Sequence, residues 1–447
     1  MNGKQVSLSA DTLDLLKEKI LKSAIKGKLV PQLDKEPEME QIGDAPEEAP
    51  FEIPPKWKWV KLSVIASSNI GLTYKPTDLI DDLGGTPVLR ANNIQNGKLN
   101  LEGLKRVKGA NQLPKNFVHP GDLLMCARNG SKRLVGKCCL IPELKERMMF
   151  GAFMAVIRSD FSSYLHIFFS SDAFKEYLGS VNTTTINQIT QKNLLNTWVP
   201  LPPLEEQKRI VEKVDCLFSR IEIIQKSMDE VSQLSKSLKK QLLQSSISGK
   251  LVPQLDEEPE AKQIGQAPEE VPFEIPGKWK WGRLSDYGNI VGGGTPSTSV
   301  SNYWDGEISW ITPADLGKIK SPWIDRGAKS ITKLGLENSS AKKMPAGSIV
   351  YSSRAPIGRV AIAKNELCTS QGCKSFVPDP NLVDSKYAYY VLKALTPEII
   401  ARASGTTFKE ISGKQFGKTL IPVPPLREQQ RIVAKLDKLM LEIQKLQ

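Results

Sequence analysis

The chain repeats part of itself at a fixed distance, and this repetition constrains its architecture more than any other feature. Four segments return after the same shift of 222 positions: 27–34, 50–54, 56–59 and 202–211 return at 249–256, 272–276, 278–281 and 424–433. The stretches between them, 60–200 and 282–422, barely resemble each other. A chain that repeats its scaffold and varies its inserts is expected to present two different binding surfaces on one frame, around a pseudo-twofold axis.

Length and composition narrow the class of protein. With 447 residues the chain can form two or three domains with cores of their own. No apolar run is long enough to span a bilayer and the N-terminus lacks a signal pattern, so we expect a soluble, cytoplasmic protein without membrane contact. The six cysteines form no Cys-x-x-Cys pair, which favours reduced thiols over disulfides or zinc ligands.

The charge of the chain is unevenly distributed. The formal net charge is +12, and Lys and Arg are in excess in both inserts, whereas the repeated frame is net acidic, notably over 34–52. Basic inserts on an acidic frame indicate that the inserts hold a polyanion. An ordinary basic surface, the alternative, would not separate the charges in this way.

A long central helix is predicted over 205–248. Its apolar residues follow alternating spacings of four and three, with an interruption at Ser235: Ile210, Val214, Leu217, Ile221, Ile224, Met228, Val231, Leu238 and Leu242. The repeat shift carries the first half of this pattern onto the C-terminus and the second half onto the N-terminus (Ile432, Leu436, Leu439, Ile443 and Leu446; Leu13, Leu16 and Ile20). We therefore expect the two terminal helices to act as one composite helix that packs antiparallel to the central helix and closes a two-repeat ring.

The remaining pattern divides the chain into alternating frame and insert segments. Pro- and Glu-rich stretches suggest extended linkers, and the Lys-Trp-Lys-Trp run predicts a strand that buries Trp57 and Trp59 on one face, which we favour over base stacking. The inserts combine β-rich runs (123–127, 135–141, 153–157, 349–353 and 360–363) with helical stretches (165–178 and 387–395), which predicts an α+β protein with two α/β insert domains. The expected boundaries are an N-terminal helix at 1–30, a linker at 31–55, a first insert domain at 56–203, a central helix at 204–249, a linker at 250–277, a second insert domain at 278–425 and a C-terminal helix at 426–447.

No arrangement of residues typical of catalysis is found. The two histidines, His119 and His166, both lie in the first insert, so the two copies cannot share a histidine-based mechanism or metal site. There is no phosphate-binding P-loop, no GxGxxG motif and no Asn/Asp-Pro-Pro-aromatic motif. A nuclease-like pattern at 378–386 places its acids too close in sequence and lacks a counterpart in the first insert. We expect no catalytic residues and no metal site.

Side chains suited to nucleic acid occur at loop positions of both inserts. Arg and Lys pair with guanine edges or phosphates, Asn and Gln with adenine, and Ser and Thr with phosphates. Arg128 follows a Gly-Asp turn and a strand, just as Arg354 follows a Gly-Ser turn and a strand, and the Thr pair at 184–185 returns at 406–407. The candidate DNA-binding residues are Thr73, Tyr74, Arg90, Asn92, Asn93, Arg128, Asn129, Lys132, Arg133, Thr184, Thr185 and Asn187 in the first insert, and Thr295, Ser297, Arg354, Gln371, Lys374, Thr406, Thr407 and Lys409 in the second. For any one of them, a solvated loop residue is the alternative.

Over essentially its whole length the chain resembles the specificity (S) subunits of type I restriction-modification systems. The resemblance is carried by two divergent domains, each opened by an Ile-Pro-x-Lys-Trp-x-Trp segment and closed by Pro-Pro-Leu-x-Glu-Gln running into a heptad helix. Gly-Gly-Thr-Pro-Ser at 293–297 and Thr-Thr-Phe-Lys-Glu-Ile-Ser at 406–412 are also similar to the family, whereas the first insert departs from both patterns at 71–74 and 184–190.

The resemblance implies a non-catalytic, DNA-reading subunit with two target-recognition domains separated by long antiparallel coiled-coil helices. Each domain would read one half of a split, asymmetric site in double-stranded DNA. The chain would assemble with two modification (M) subunits and with restriction (R) subunits. No cofactor would be bound by the chain itself, and S-adenosylmethionine, ATP and magnesium would be used by the partners. Two alternatives are a coiled-coil scaffold that binds protein and a stand-alone DNA enzyme with an unrecognised site.

Overall fold

The structure is a computed structural model that describes residues 9–80, 84–108, 113–181, 187–354, 356–405 and 409–446, with only the backbone described at Val181. Two compact units divide the chain at its middle, Met1–Ser227 and Met228–Gln447. One long helix continues across the division. Each unit is a mixture of short strands and helices, as predicted.

In unit 1, the frame contributes the first helix, the first and last strands and the start of the long helix. The elements are α1 (Ala10–Ile25), β1 (Lys58–Lys61), α2 (Leu62–Ile65), β2 (Ser67–Ile70), β3 (Leu79–Ile80), β4 (Thr86–Leu89), β5 (Ile94–Gln95), β6 (Lys98–Leu99), β7 (Lys105–Val107), β8 (Leu123–Cys126), β9 (Cys138–Leu140), β10 (Met149–Phe150), β11 (Met154–Arg158), α3 (Ser162–Ser170), α4 (Asp172–Val181), α5 (Gln191–Leu195), β12 (Trp198–Leu201) and α6 (Leu204–Ile247). The strands pair as β1-β12, β10-β4-β7-β3, β2-β11-β8-β9 and β5-β6.

Unit 2 begins within α6 and ends with a helix equivalent to the first half of α6. Its further elements are β13 (Lys280–Arg283), β14 (Gly288–Gly292), β15 (Trp304–Ile311), α7 (Pro313–Leu316), β16 (Trp323–Ile324), β17 (Lys329–Ile331), α8 (Lys333–Glu337), β18 (Ile349–Ser352), β19 (Val360–Ala363), β20 (Cys368–Thr369), β21 (Cys373–Pro378), α9 (Ser385–Ala401), α10 (Gly413–Gly417), β22 (Leu420–Val423) and α11 (Leu426–Lys445). The strands pair as β13-β22, β14-β21-β18-β19-β16 and β17-β15-β20.

The entry and exit strands of each insert pair with each other and close the insert at its base. In unit 1, β1 runs antiparallel to β12 with Trp59 opposite Pro200, and in unit 2, β13 runs antiparallel to β22 with Trp281 opposite Pro422. Trp57 and Trp59 are 2% and 7% exposed, so the prediction of buried aromatics is confirmed. Each insert therefore leaves and re-enters the frame at one place.

The Pro- and Glu-rich linkers carry no regular secondary structure, as expected, but they are held firmly to the frame. In unit 1, Arg209 of α6 donates two hydrogen bonds of 3.0 and 2.7 Å to the carboxylate of Glu36, which is 7% exposed, and a third of 2.9 Å to the carbonyl of Pro31. Lys56 caps the same turn by donating to the carbonyls of Leu33, Asp34 and Glu36 at 2.7, 3.2 and 2.8 Å. These contacts of Arg209 and Lys56, called the bracket below, tie the linker to the first turns of the helix.

Unit 2 repeats this bracket contact for contact. Arg431 donates to both carboxylate oxygens of Glu258 at 3.0 and 2.7 Å and to the carbonyl of Pro253 at 3.0 Å. Lys278 donates to the carbonyls of Leu255, Asp256 and Glu258 at 2.7, 3.0 and 2.8 Å. The sequence repeat is therefore a repeat of three-dimensional contacts.

The long helix α6 matches the predicted range, and three of the five apolar positions predicted in its first half are buried. Leu217 is partly buried, and Ile224 is 38% exposed, which contradicts the prediction there. Ile210, Val214 and Ile221 are at most 3% exposed, and their counterparts Ile432, Leu436 and Ile443 on α11 are equally buried. In the second half the prediction is wrong in detail, because Val231 and Leu238 are 41% and 38% exposed whereas Ser235 is 3% exposed. The buried face continues through the small Ser235, at the position that Leu13 occupies on α1. A helix turns every 3.6 residues, so an unbroken stripe drifts away from a strict heptad.

The inserts are built on short sheets covered by helices. β8 is buried at all four positions and lies between β11 and β9. The single helix predicted over 165–178 is instead two helices, α3 and α4, because Ser171 adopts an extended conformation and its hydroxyl donates to the carbonyl of Phe168. In unit 2 the corresponding stretch, 387–395, lies inside one continuous helix, α9.

Among the described residues, no helix is long and apolar enough to cross a membrane. The same part of the chain contains no group of three or more His, Cys, Asp or Glu side chains placed to hold a metal ion.

Candidate nucleic-acid interface

Arg128 and Arg354 occupy equivalent places in the two units, as the strand-then-Arg pattern predicts. Arg128 follows β8 and forms an isolated antiparallel bridge with Gln188, whereas Arg354 follows β18 and forms the same kind of bridge with Glu410. Gln188 and Glu410 are separated by the repeat shift of 222 positions. Each arginine is thus presented on a short two-stranded loop at the end of a buried strand.

The backbone around the two arginines is also equivalent. The amide of Ala127 donates to the carbonyl of Phe153 at 2.9 Å, and the amide of Ile189 donates to the carbonyl of Ala127 at 2.7 Å. In unit 2 the amide of Ser353 donates to the carbonyl of Gly372 at 2.9 Å, and the amide of Ile411 donates to the carbonyl of Ser353 at 3.0 Å. A short helix follows each loop, capped by Thr190 in α5 and by Ser412 in α10.

In unit 1 this loop brings three of the predicted residues together. The side-chain amide of Asn187 donates to the carbonyl of Gly130 at 3.1 Å, and the amide of Asn129 donates to the carbonyl of Asn187 at 3.2 Å. The guanidinium carbon of Arg128 lies 5.4 Å from the centre of the Phe153 ring. Because Arg128 is exposed and its guanidinium packs on an aromatic ring, its charge is available to a polyanion.

In unit 2 the equivalent cations share a carboxylate. Glu410 lies 4.0 Å from the Arg354 guanidinium and 3.8 Å from the Lys374 ammonium, and all three groups are partly exposed. Lys374 also donates to the carbonyl of Gln371 at 3.1 Å, and Lys409 is exposed beside Glu410. The second loop is therefore less positive than the first, because one Glu partly neutralises two cations.

In each unit, a glycine packs closely against the backbone at the end of a short strand: Gly293, after β14, lies against the end of β20, and Gly71, after β2, lies against the end of β10. In unit 2, a side chain on Gly293 would lie 1.9 Å from the carbonyl oxygen of Ser370, so the close approach requires glycine there. It leaves Thr295 and Ser297 exposed. In unit 1, Gly71 makes the same approach to the carbonyl of Phe150, followed by an exposed Thr73.

Tyr74 and Arg90 lie near each other, close to the turn that follows β10. Tyr74 is partly buried beside Gly151, and burial raises the pKa of its phenol, which nearby Arg90 partly opposes. The backbone amide of Arg90 donates to the side-chain oxygen of Asn93 at 3.0 Å. Asn92 is exposed.

The prediction that Asn93 binds DNA is wrong. Its side chain is fully buried, accepts a hydrogen bond from the amide of Arg90 and donates one of 2.9 Å to the carbonyl of Asn100. Both polar ends of the side chain are used to hold the loop. Asn93 therefore shapes the position of Arg90 and does not reach a ligand.

Lys132 and Arg133 are exposed on a short turn beyond Arg128, at the rim of a cavity of about 540 Å³ that Asn187 also lines. Thr184, Thr185, Thr406 and Thr407 lie outside the described residues, so their assignment stays a prediction. The candidate DNA-binding residues did not include Phe153, Gln188 or Glu410. Gln188 and Glu410 had a usable signal, since they are separated by the repeat shift beside the Thr pairs.

The chain is similar to known proteins over most of its length. The family model for the type I restriction modification DNA specificity domain matches residues 54–233 and 276–447. The type I restriction enzyme MjaIX specificity subunit of Methanocaldococcus jannaschii is 41% identical over 36% of this chain and 38% of its own length. The putative MjaX specificity subunit of the same organism is 27% identical over 86% of this chain and 87% of its own length. The EcoKI specificity subunit of Escherichia coli is 31% identical over 44% of both chains.

Two solved structures share the fold. A chain from a structural study of the assembly and conformational transition of the type I R-M system superposes with a TM-score of 0.67 at 24% identity, covering 89% of this chain and 93% of the other. The HsdS subunit from Thermoanaerobacter tengcongensis superposes with a TM-score of 0.55 at 24% identity and the same coverage. The two matched segments cover most of the sequence, and each contains one arginine loop. The chain therefore belongs to the type I restriction modification DNA specificity domain family and contains that domain twice.

Proposed function

We propose that this chain is the DNA-recognition subunit of a type I restriction-modification complex, and that each unit reads one half of a bipartite, asymmetric site in double-stranded DNA. The observation that carries the proposal is the pair of equivalent arginine loops, which stand on a repeated frame but have different neighbours. A shared backbone presents both loops in the same way, and unlike side chains read unlike sequences. Arginine is well suited to this role because its guanidinium pairs with two acceptors of guanine in the major groove.

The proposal is tested by selection of DNA from a pool of random duplexes with the full-length chain. Two short conserved sequences separated by an unspecified gap are expected. Affinity should also fall steeply as salt rises, because phosphate contacts release counterions. A single continuous motif, or binding indifferent to both salt and sequence, would contradict the proposal and favour a scaffold that binds protein.

Partner subunits are proposed to perform the chemistry. Two modification subunits would use S-adenosylmethionine to methylate adenine, and restriction subunits would use ATP and magnesium. The repeated helix starts, 204–214 and 426–436, are the proposed docking places for the modification subunits.

The purified chain should then show neither methyl transfer nor DNA cleavage alone and should gain methylation with its modification subunit. Turnover by the isolated chain would contradict this. A cytoplasmic location is proposed with this role, because the chain would act with these partners on genomic DNA.

The helices are proposed to pair as an antiparallel coiled coil that closes a two-repeat ring and sets the gap between half-sites. The apolar spacing that α6 shares with α11 at the repeat shift is the observation behind this proposal. α6 has 44 residues, which span about 66 Å at 1.5 Å per residue. Seven residues inserted near Ser235, with a matching insertion in the opposing helix, should lengthen the gap by roughly three base pairs. An unchanged gap would show that the inserts set the spacing.

A further inference from the structure

Phe153 is a large apolar side chain exposed beside the arginine loop of unit 1. Its side chain is 59% exposed, although it lies directly before the buried strand β11. Single exposed apolar residues are normal on protein surfaces, so exposure alone indicates nothing. Phe153 differs because its carbonyl accepts the amides of both Ala127 and Arg128, at 2.9 and 3.0 Å, and because its ring lies beneath the Arg128 guanidinium.

The backbone therefore fixes the ring relative to the arginine. Two hydrogen bonds hold the position of the Phe153 Cα within the loop, and the guanidinium carbon is 5.4 Å from the ring centre. An arginine stacked on an aromatic ring loses less conformational freedom when it meets a ligand, because the ring already restricts it. The two side chains form one surface with a cationic part and an apolar part.

Unit 2 shows that the ring is not needed by the shared fold. Gly372 stands at the equivalent place, since its carbonyl accepts the amide of Ser353 at 2.9 Å. A side chain there would lie 2.9 Å from Cγ of Pro313 and 3.4 Å from Nε of Arg354. The position directly before β11 therefore carries an exposed ring, and the equivalent position directly before β21 carries a glycine. Such a difference is expected of a residue that distinguishes the two recognition surfaces.

We propose that Phe153 is a specificity-determining residue, whose ring contacts the C5-methyl group of a thymine next to the base read by Arg128. Thymine alone among the four bases presents a methyl group in the major groove, and apolar side chains recognise it by contact. The proximity of ring and guanidinium places the thymine beside the base that pairs with Arg128. This inference rests on the proposed function, because it requires unit 1 to read bases.

The test removes the methyl group from the DNA and the ring from the protein, separately and together. In the half-site assigned to unit 1 by selection, each thymine is replaced in turn by deoxyuridine, and binding by the full-length chain is measured. Loss of one buried methyl group is expected to weaken binding roughly fourfold at a single position. Phe153→Ala should weaken binding to the thymine-containing site about tenfold and abolish the deoxyuridine penalty at that position.

Matched variants separate this role from a general loss of structure. Phe153→Leu keeps an apolar contact and should retain part of the penalty. Val64→Ala removes an exposed apolar group that lies beside Gly43 of the linker, and it should leave both affinity and the penalty unchanged. The salt dependence should be the same for wild type and Phe153→Ala, because a phenyl ring releases no counterions.

Three results would overturn the inference. These are unchanged affinity of Phe153→Ala, a deoxyuridine penalty that persists in Phe153→Ala, and a unit 1 half-site without thymine. Persistence of the penalty with weakened binding would assign the ring to a wedge between base pairs instead. Failure to select any two-part motif would contradict the proposed function itself, which is a distinct result.

Discussion

The frame contacts are repeated between the two units more strictly than the arginine loops are. The bracket between Arg209 and Glu36 recurs between Arg431 and Glu258 with the same atoms and nearly the same distances. The arginine loops keep the backbone bridge to each arginine, but the residue across the bridge is Gln188 in unit 1 and Glu410 in unit 2. The frame therefore repeats both its geometry and its chemistry, whereas the loops repeat a geometry and differ in chemistry. This difference is what the proposed function requires of a chain that reads two unlike half-sites on one architecture.

The largest effect on stability is expected from removing the arginine of the bracket in either unit. Arg209→Ala leaves the carboxylate of Glu36 buried without its cation, which should lower the free energy of unfolding by about 3 kcal/mol. Arg431→Ala should cost about the same, because Glu258 is equally buried at 6–7% exposure. Denaturant unfolding of the full-length chain measures both. Adding Glu36→Gln to Arg209→Ala should restore part of the loss, and clearly unequal losses in the two units would break the equivalence.

The arginines themselves should act on one half-site each. Arg128→Ala is expected to weaken binding by about 1–3 kcal/mol and to relax specificity only in the half read by unit 1. Arg354→Ala should act only on the other half and by less, because Arg354 must give up its contact with Glu410. Binding to duplexes carrying single-base changes distinguishes the outcomes. A uniform loss over all sequences would indicate a phosphate contact, and no loss would return the residue to the solvated surface.

Gln188 and Glu410, whose backbones bridge to Arg128 and Arg354, differ in charge, and exchanging their side chains tests whether this difference affects DNA binding. Gln188→Glu places a carboxylate beside Arg128 and should weaken DNA binding, whereas Glu410→Gln removes one beside Arg354 and Lys374 and should strengthen it. Each change should be roughly two- to fivefold, which corresponds to a partly exposed ion pair of about 0.5–1 kcal/mol. The effects should shrink in high salt because exposed charges are screened. Equal signs for the two variants would contradict the electrostatic account.

The smallest effect concerns pH. Burial raises the pKa of the Glu206 carboxyl above its ordinary value of 4.5, and the indole of Trp57, the amide of Gln32 and the guanidinium of Arg209 only partly oppose this. The folded chain then holds this proton more tightly than the unfolded chain. Stability from the protonated group is fully present below 4.5 and is lost as pH rises through the raised pKa.

Glu206→Gln should therefore change Tm more favourably, relative to wild type, at about pH 7.5 than at about pH 4. Glu428→Gln should show the same trend, because burial raises the pKa of Glu428 in the equivalent surroundings of Trp279, Gln254 and Arg431. Thermal unfolding at the two pH values measures this. A variant whose Tm difference from wild type is the same at both pH values would show that the carboxyl titrates normally.

The frame could be predicted from the sequence because its repeat is exact enough to align. The long helix, the buried Trp57 and Trp59 and the equivalence of Arg128 and Arg354 follow from spacing and alternation. The linker bracket could not be predicted, because Glu36 and Arg209 are far apart in sequence and ordinary in type. The heptad spacing wrongly predicted burial of Val231 and Leu238, because the buried stripe drifts along the helix and passes through the small Ser235 instead.

Individual site residues were less predictable than the frame. Asparagine is a residue type that often contacts DNA, but its side chain also hydrogen-bonds to the backbone of its own loop. The Asn93 side chain does so here, because its oxygen accepts from the amide of Arg90 and its nitrogen donates to the carbonyl of Asn100. Phe153 is the converse case, an apolar residue that is exposed. An apolar residue before a strand is usually assigned to the core, and only the fold shows that its ring faces solvent beneath Arg128.

The central claim, that one frame presents two independent reading modules, is tested most directly by exchange of a module. Residues 278–425 would be replaced by the corresponding domain of a relative that reads a different sequence, and the DNA motif selected by the full-length hybrid would be determined. One half of the motif should be replaced, while the other half and the gap are kept. A change in both halves, or in neither, would contradict it.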